Sequence, residues 1–344
     1  HLTDDKLNRK EFLNDLFNIF DNFGYYDDGG LTISINGKYG SGKSTLLNFI
    51  EEKNKDEQKY HVIKYDAWQN NLFNNPLIPI LYALNKLETT GSKILSGAKS
   101  VLKSIPKILT STLANAHSMD LSSLMVNENI FAEYKIYTEE ISKYKKILAD
   151  FCKNKKVILL IDELDRCLPE YQIKVLETLY NVFKIPNLIL VIAIDRTQLE
   201  HTIKNIFGNE QNVSGYLSKF IQYEIDLPDT ENNKYLQTLI LFNCQYPEAK
   251  NICAKMFEIA NLSIRDSLQI VKDLNLICNE KNSEGEPIQY FYWYPLFVCL
   301  VLIIKKLQRN IYKKYFYHDK IFENIMENLT LDQTPYKNFL NDIS

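Results

Sequence analysis

Gly37–Thr45 reads GKYGSGKST, and its first eight residues fit the pattern G-x-x-x-x-G-K-[ST]. LTISI (Leu31–Ile35), a β-branched run, precedes it, and LLNFIEEK (Leu46–Lys53), with helical spacing, follows. Strand, Gly-rich loop and helix in that order are the context a phosphate-binding loop requires. The loop's N–H groups and the helix N-terminus converge on one spot and favour an anion there. A Cβ at Gly37, Gly40 or Gly42 would block close approach to phosphate oxygens. The chain has 11 Gly in 344 residues and three fall in this loop, which sets it apart from an ordinary glycine turn. The reading therefore assigns Gly37, Lys38, Tyr39, Gly40, Ser41, Gly42, Lys43, Ser44 and Thr45 to the phosphates of a nucleotide. Lys43 is expected to reach the β- and γ-phosphates, and Ser44 to offer its hydroxyl to Mg2+.

The other half of such a site is an acidic residue ending a hydrophobic strand. Val157–Glu163, VILLIDE, supplies it. Asp162 is expected in the Mg2+ shell, and Glu163 as the group that orients or deprotonates the attacking water. An adjacent Glu favours hydrolysis over phosphate transfer to a metabolite. Two acids at a strand tip can also serve as favourable charges at a helix N-terminus. With no N-K-x-D pattern for guanine, the expected nucleotide is ATP.

Working outward, Asp5–Phe23 has the spacing of an amphipathic helix, and DDGG (Asp27–Gly30) turns the chain into the first strand. Further strands are expected at His61–Trp68, at the aliphatic run ending in Asp162, at Asn187–Asp195 and at Lys219–Leu227, with a helix over Asn75–Leu87. A continuous aliphatic strand suits a parallel sheet covered on both faces. The fold class is thus α/β, a P-loop NTPase with a doubly wound parallel five-stranded sheet. Residues 1–228 form the core, with a helical insertion at about 89–150; residues 229–344 form an all-helical C-terminal module.

The composition excludes little but directs the search. A hydrophobic fraction of 45% supports a sizeable core, and a net charge of −3 makes no global case for nucleic acid or membrane. The six Cys show no metal-ligand spacing. No signal-peptide pattern opens the chain, which points to the cytoplasm and free buried thiols. It begins at His1 rather than Met, as a trimmed product would. Tyr290–Ile304 is apolar over 15 residues, shorter than the roughly 20 a spanning helix needs. Pro295 interrupts it, and a buried core helix is expected.

Thr89–Met119 contains no Asp or Glu, yet carries Lys93, Lys99, Lys103 and Lys107. On a helix Lys99, Lys103 and Lys107 share a face opposite Val101, Leu102, Ile105, Ile108 and Leu109, with Pro106 breaking or kinking it. Such a segment docks on an acidic partner, an anionic membrane or nucleic acid, or it is a surface helix pair packed on the core. Membrane and nucleic acid are the less favoured partners; a protein partner or effector and a homo-oligomer are expected. Location is cytoplasmic, with peripheral contact at the inner membrane face left open.

Arginine is scarce: five of 40 basic residues, at Arg9, Arg166, Arg196, Arg265 and Arg309. Arg166, Arg196 and Arg265 follow nucleotide-type landmarks, and only Arg offers a planar charged fork for phosphate oxygens. Each can instead pair with its neighbour Asp165, Asp195 or Asp266.

GKYGSGKST, YDAWQ (Tyr65–Gln69), LLIDELDRC (Leu159–Cys167), VIAIDRTQLEHTIKNIFG (Val191–Gly208) and YLSKFIQYEIDLP (Tyr216–Pro228) together resemble the KAP family of P-loop NTPases. DKLNRKEF near the N-terminus and SIRDSLQIVKDLN (Ser263–Asn275) fit the same family. The resemblance implies a parallel core of the additional-strand type, ATP and Mg2+ as cofactors, and a nucleotide-dependent switch. Where the family often reads DDLDRC, Glu163 takes the second acidic place, which suits a catalytic carboxylate. Where it often reads N-P-R, Ser263-Ile264-Arg265 keeps only the Arg, which the resemblance makes a sensor of the terminal phosphate. Family members often insert membrane-spanning helices between the two nucleotide motifs; the insert here lacks a long enough apolar run. Bacterial members are similar to phage-exclusion and anti-phage defence ATPases. The alternatives are a nucleotide-holding scaffold for an effector, with little hydrolysis, and a nucleic-acid-associated motor.

Overall fold

The computed structural model of the chain describes residues 9–23, 29–87, 93–105, 128–228, 232–241, 248–279 and 293–309. These fall into two compact units, one up to Asp229 and one from Thr230.

The first unit opens with α1 (Lys10–Asn22), whose Leu13, Leu16, Phe17 and Phe20 are buried at 3–4-residue spacing. Then follow β1 (Leu31–Asn36), α2 (Lys43–Glu57), β2 (His61–Asp66), α3 (Leu77–Leu84), α4 (Lys93–Ser104) and α5 (Glu128–Asn154). The unit continues with β3 (Val157–Asp162), α6 (Pro169–Phe183), β4 (Leu188–Ile194), α7 (Arg196–Phe207), α8 (Val213–Leu217) and β5 (Tyr223–Asp226). The five strands form one parallel sheet in the order β2-β3-β4-β1-β5. β4 therefore lies between β1, which feeds the glycine loop, and β3, which ends in Asp162.

Every residue of β3 and β4 is buried, and period-2 alternation divides them between two cores. Val157, Leu159 and Ile161 with Leu188, Leu190, Ile192 and Ile194 pack against α3 to α7. Ile158 and Leu160 with Ile189, Val191 and Ala193 pack against α1 and α2. Each fully buried aliphatic side chain of this kind stabilises by about 1.5–3 kcal/mol, so the central strands fix the frame on which the loops are hung.

The expected fifth strand is shortened at its start. Phe220 N–H and Ile221 N–H both bond back to the Leu217 carbonyl (2.9 Å), so these residues close a turn and the ladder begins later. β2 ends at Asp66 rather than Trp68: Ala67 N–H makes the last ladder bond, to the Asp162 carbonyl, and the Asp66 carboxylate then takes Gln69 N–H, turning the chain.

In α4, Ile94, Ala98 and Val101 are buried, while Lys93, Lys99 and Lys103 are exposed. The buried stripe is rotated from the one expected: Leu102 is 38% exposed, because Gly97 lets α4 close on Tyr144 and Ile147 of α5. α4 and α5 are a helix pair packed on the core, with the described lysines of α4 facing outward; Pro106, Lys107, Ile108 and Leu109 lie outside the described residues.

The second unit contains α9 (Asn232–Leu239), α10 (Glu248–Ile259), α11 (Ile264–Cys278) and α12 (Trp293–Leu307) around one apolar core. Pro295 does not interrupt the apolar run. It sits in the first turn of α12, where no intrahelical N–H bond is lost, and Leu296, Val298, Cys299, Leu302 and Ile303 are buried beyond it. No helix among the described residues is long and apolar enough to cross a membrane. The five described cysteines, Cys152, Cys167, Cys253, Cys278 and Cys299, are buried and form no disulfide.

Candidate functional site

The glycine loop leaves β1 at the carboxyl edge of the sheet, where Gly37 N–H bonds the Ile194 carbonyl at 3.0 Å. Gly40 and Gly42 hold φ of 78° and 96°, left-handed values that a side chain would strain. A Cβ on Gly37 would stand 2.6 Å from Ser41 Oγ. Ser41 Oγ is itself buried without a hydrogen-bond partner among the described residues. A cradle closed to side chains, lined by the first turn of α2, suits the oxygens of a polyphosphate.

Lys43 opens α2 and is 8% exposed. Its ammonium donates to the Gly37 carbonyl at 2.6 Å and to the Lys38 carbonyl at 3.3 Å, and it pairs with Asp165 Oδ2 at 3.1 Å. Lys38, Tyr39 and Thr45 are exposed around it. Ser44 Oγ donates to Asp162 Oδ1 at 2.9 Å, which brings the helix start and the β3 tip together across the sheet. A hydroxyl and a carboxylate side by side are hard oxygen donors of the kind Mg2+ prefers, so Ser44 and Asp162 fit its shell.

Glu163 follows Asp162 with φ 59°. A left-handed glutamate is uncommon, and such strain persists where surrounding structure enforces it. Here the enforcement is visible: Glu163 N–H bonds Asp162 Oδ1 at 3.0 Å, and its carbonyl accepts from Arg166 N–H as the chain enters a short 3-10 turn. Its carboxylate pairs with the Arg166 guanidinium. Burial pushes the Glu163 carboxyl above its ordinary value, Arg166 opposes the shift, and Asp162, Asp165 and Asp66 add to it. Arg166 in turn lies 5.2 Å from the Tyr39 ring of the glycine loop and 5.5 Å from the Trp68 ring beyond β2.

Two of the arginine neighbours expected from sequence differ. Arg166 bonds Glu163, not Asp165, which serves Lys43. Arg196 binds Glu200 and Glu224 and bonds Ser214 Oγ, tying α7 to β5, while Asp195 caps α7 by accepting from Gln198 N–H. In the second unit, Ser263 caps α11, and the Asp266 carboxylate is held by Ser263 Oγ at 2.8 Å and Lys306 at 2.6 Å. Arg265, one residue earlier, is exposed.

Three residues that no sequence motif assigns to the site stand beside it. Arg9 is 3% exposed and donates to the Pro228 and Ser41 carbonyls, so it props the glycine loop from behind; its scarcity was the available signal. Lys64 reaches Asp162 Oδ2 at 3.0 Å, and a lysine amid the β2 pattern was its signal. Asp165 stands in the sequence as a possible neighbour of Arg166 and is instead the partner of Lys43.

The model of the KAP family P-loop domain matches residues 9–271. No curated protein sequence matches the chain. Among solved structures it is similar to the Aeropyrum pernix ORC2 protein in its ADPNP–ADP complexes, with 13% identity over 78% of this chain and 62% of that one, at a TM-score of 0.41. The ADP form of the same protein gives 13% identity over 86% and 68%, at 0.41. CDC6P from Pyrobaculum aerophilum gives 12% over 79% and 62%, at 0.43. The chain thus spans less than two thirds of the first and third of these.

Proposed function

Because the chain belongs to the KAP family of P-loop NTPases, we propose that it binds ATP with Mg2+ and hydrolyses it, and that its nucleotide state governs a partner. The observation that carries this reading is the 2.9 Å bond from Ser44 to Asp162, with Glu163 next to it in an enforced backbone conformation. When bound, Mg2+ would neutralise charge developing on the terminal phosphate. Lys43 holds the β- and γ-phosphates, Glu163 accepts the proton of the attacking water, and the glycine loop excludes bulk solvent from the phosphate chain. The biological setting proposed from the family resemblance is a bacterial anti-phage or phage-exclusion system.

The test is phosphate release in single turnover from ATP and GTP, with and without Mg2+, beside binding of a fluorescent ATP analogue. The expected result is Mg2+-dependent release from ATP in preference to GTP. Binding without release would leave a nucleotide-holding scaffold, and absence of binding would end the reading.

Arg265 is the proposed reader of the terminal phosphate. Its place one residue into α11 is fixed by the Ser263 cap, and it is one of five arginines in the chain. Arg265→Lys keeps the charge and loses the fork, and is expected to slow hydrolysis by about tenfold, the worth of one charge-assisted bond. Thermal unfolding should be unchanged. A wild-type rate in this variant would remove Arg265 from the site.

A further inference from the structure

Four carboxylates crowd the carboxyl ends of β2 and β3: Asp66, Asp162, Glu163 and Asp165. Left to themselves they would repel an incoming polyphosphate. Three of them are each matched to one cation, Asp165 to Lys43, Glu163 to Arg166 and Asp162 to Lys64. The first cation belongs to the phosphate loop and the second to the chain turn after β3. Lys64 comes from neither. It sits on the edge strand β2, opposite Leu160 in the ladder, and reaches across to Asp162 Oδ2 at 3.0 Å. Its ammonium also donates to Asn48 Oδ1 of α2 at 2.8 Å, which fixes it on the α2 side of the sheet. The Lys64 side chain is 27% exposed and that of Asp162 5%, so the pair is shielded from bulk water more than a surface ion pair.

The Asp162 carboxylate thereby has both oxygens engaged. Oδ1 takes Ser44 Oγ and Glu163 N–H, and Oδ2 takes Lys64. The orientation that aims Oδ1 at the Ser44 hydroxyl is held from behind by the lysine.

On the reading of this site as a Mg2+–nucleotide site, we infer that Lys64 is an internal counter-ion of the metal-site carboxylate. It orients Asp162 and supplies positive charge there when nucleotide arrives without its metal. The consequence has a sign that packing alone would not give. Removing the Lys64 charge makes the pocket more negative, which weakens binding of the metal-free nucleotide. The same change favours a divalent cation, so the metal–nucleotide complex is spared.

The test uses the full chain and a fluorescent, non-hydrolysable ATP analogue, with dissociation constants measured by anisotropy in EDTA and in Mg2+. For Lys64→Met the ratio of the EDTA constant to the Mg2+ constant is expected to rise about three- to tenfold over wild type, as one partly screened unit charge allows. Lys64→Arg keeps the charge and should leave the ratio within about twofold, the same screened charge being retained. Equal changes in both constants, no change in either, or the same rise in the arginine variant would overturn the inference. If Lys64→Met does not unfold cooperatively, Lys64→Gln is read in its place under the same criterion. Wild-type protein that binds the analogue in neither condition overturns the parent reading and this inference with it. That failure shows before any substitution is made, so the two are distinguishable.

Discussion

Lys43→Ala is expected to weaken ATP binding by about 10²–10³-fold, because a unit charge about 4 Å from a phosphate oxygen is worth roughly 4 kcal/mol at an effective dielectric of 20. No other lysine follows a phosphate-loop pattern in the chain. Binding of a fluorescent ATP analogue measures the loss, and near-normal affinity would refute the assignment. The same substitution carries a structural cost that must be separated from it. Lys43 and Asp165 are each 9% exposed at the side chain and 3.1 Å apart. Removing the lysine leaves the Asp165 carboxylate beside Asp162 and Glu163 without that partner, at a cost of up to about 3 kcal/mol for a buried pair. The double variant Lys43→Ala/Asp165→Asn removes the stranded charge as well. It should recover most of the lost stability in denaturant unfolding and none of the binding. Recovery of binding in the double variant would mean that Asp165, rather than the missing ammonium, was what kept nucleotide out.

The parts of this site that were legible in the sequence are those in which neighbours in space are neighbours in the chain. Gly37–Thr45 encodes its own cradle, since glycines at fixed offsets permit only a few backbone paths. The β3 run declares itself by being aliphatic on both faces, as a strand buried in the middle of a sheet must be. Strand ends were less legible: β2 stops at Asp66 because, after the last ladder bond to β3, its own carboxylate captures Gln69 N–H and turns the chain. The ion-pair partners of the arginines were less legible than the Ser44–Asp162 meeting that the two motifs announced. Arg166, Arg196 and Arg265 each stand beside an aspartate in sequence. Yet Arg166 and Arg196 pair with glutamates brought close by a turn, a helix face or a neighbouring strand, while Asp266 feels the Arg265 charge as expected and takes Lys306 as well. The positive φ of Glu163 was equally invisible, because that conformation is usually signalled by glycine or asparagine and is imposed here by surroundings.

Glu163→Gln is expected to retain ATP binding and to reduce single-turnover hydrolysis by about 10²-fold or more, the usual contribution of a general base. The amide keeps the size and one acceptor oxygen, so the phosphate cradle is undisturbed, but it cannot take a proton from water. The competing candidate is Asp165, two residues on. Its carboxylate is spent on Lys43 at 3.1 Å, whereas Glu163 is held by Arg166, a partner outside the phosphate loop. Asp165→Asn should therefore hydrolyse much faster than Glu163→Gln, and the reverse order would move the base to Asp165. A pH profile adds a second discriminator. A base works when deprotonated, and burial raises the Glu163 carboxyl above its ordinary value, against the opposing pull of Arg166. Wild-type single-turnover rates should thus fall on acidification at a higher pH than an ordinary glutamate would give. That acid limb should vanish from the residual rate of Glu163→Gln, since an amide does not titrate. Arg166→Ala should shift the limb to still higher pH, because it removes the group that holds the carboxyl down. An acid limb that persists unchanged in Glu163→Gln would show that another group limits the rate.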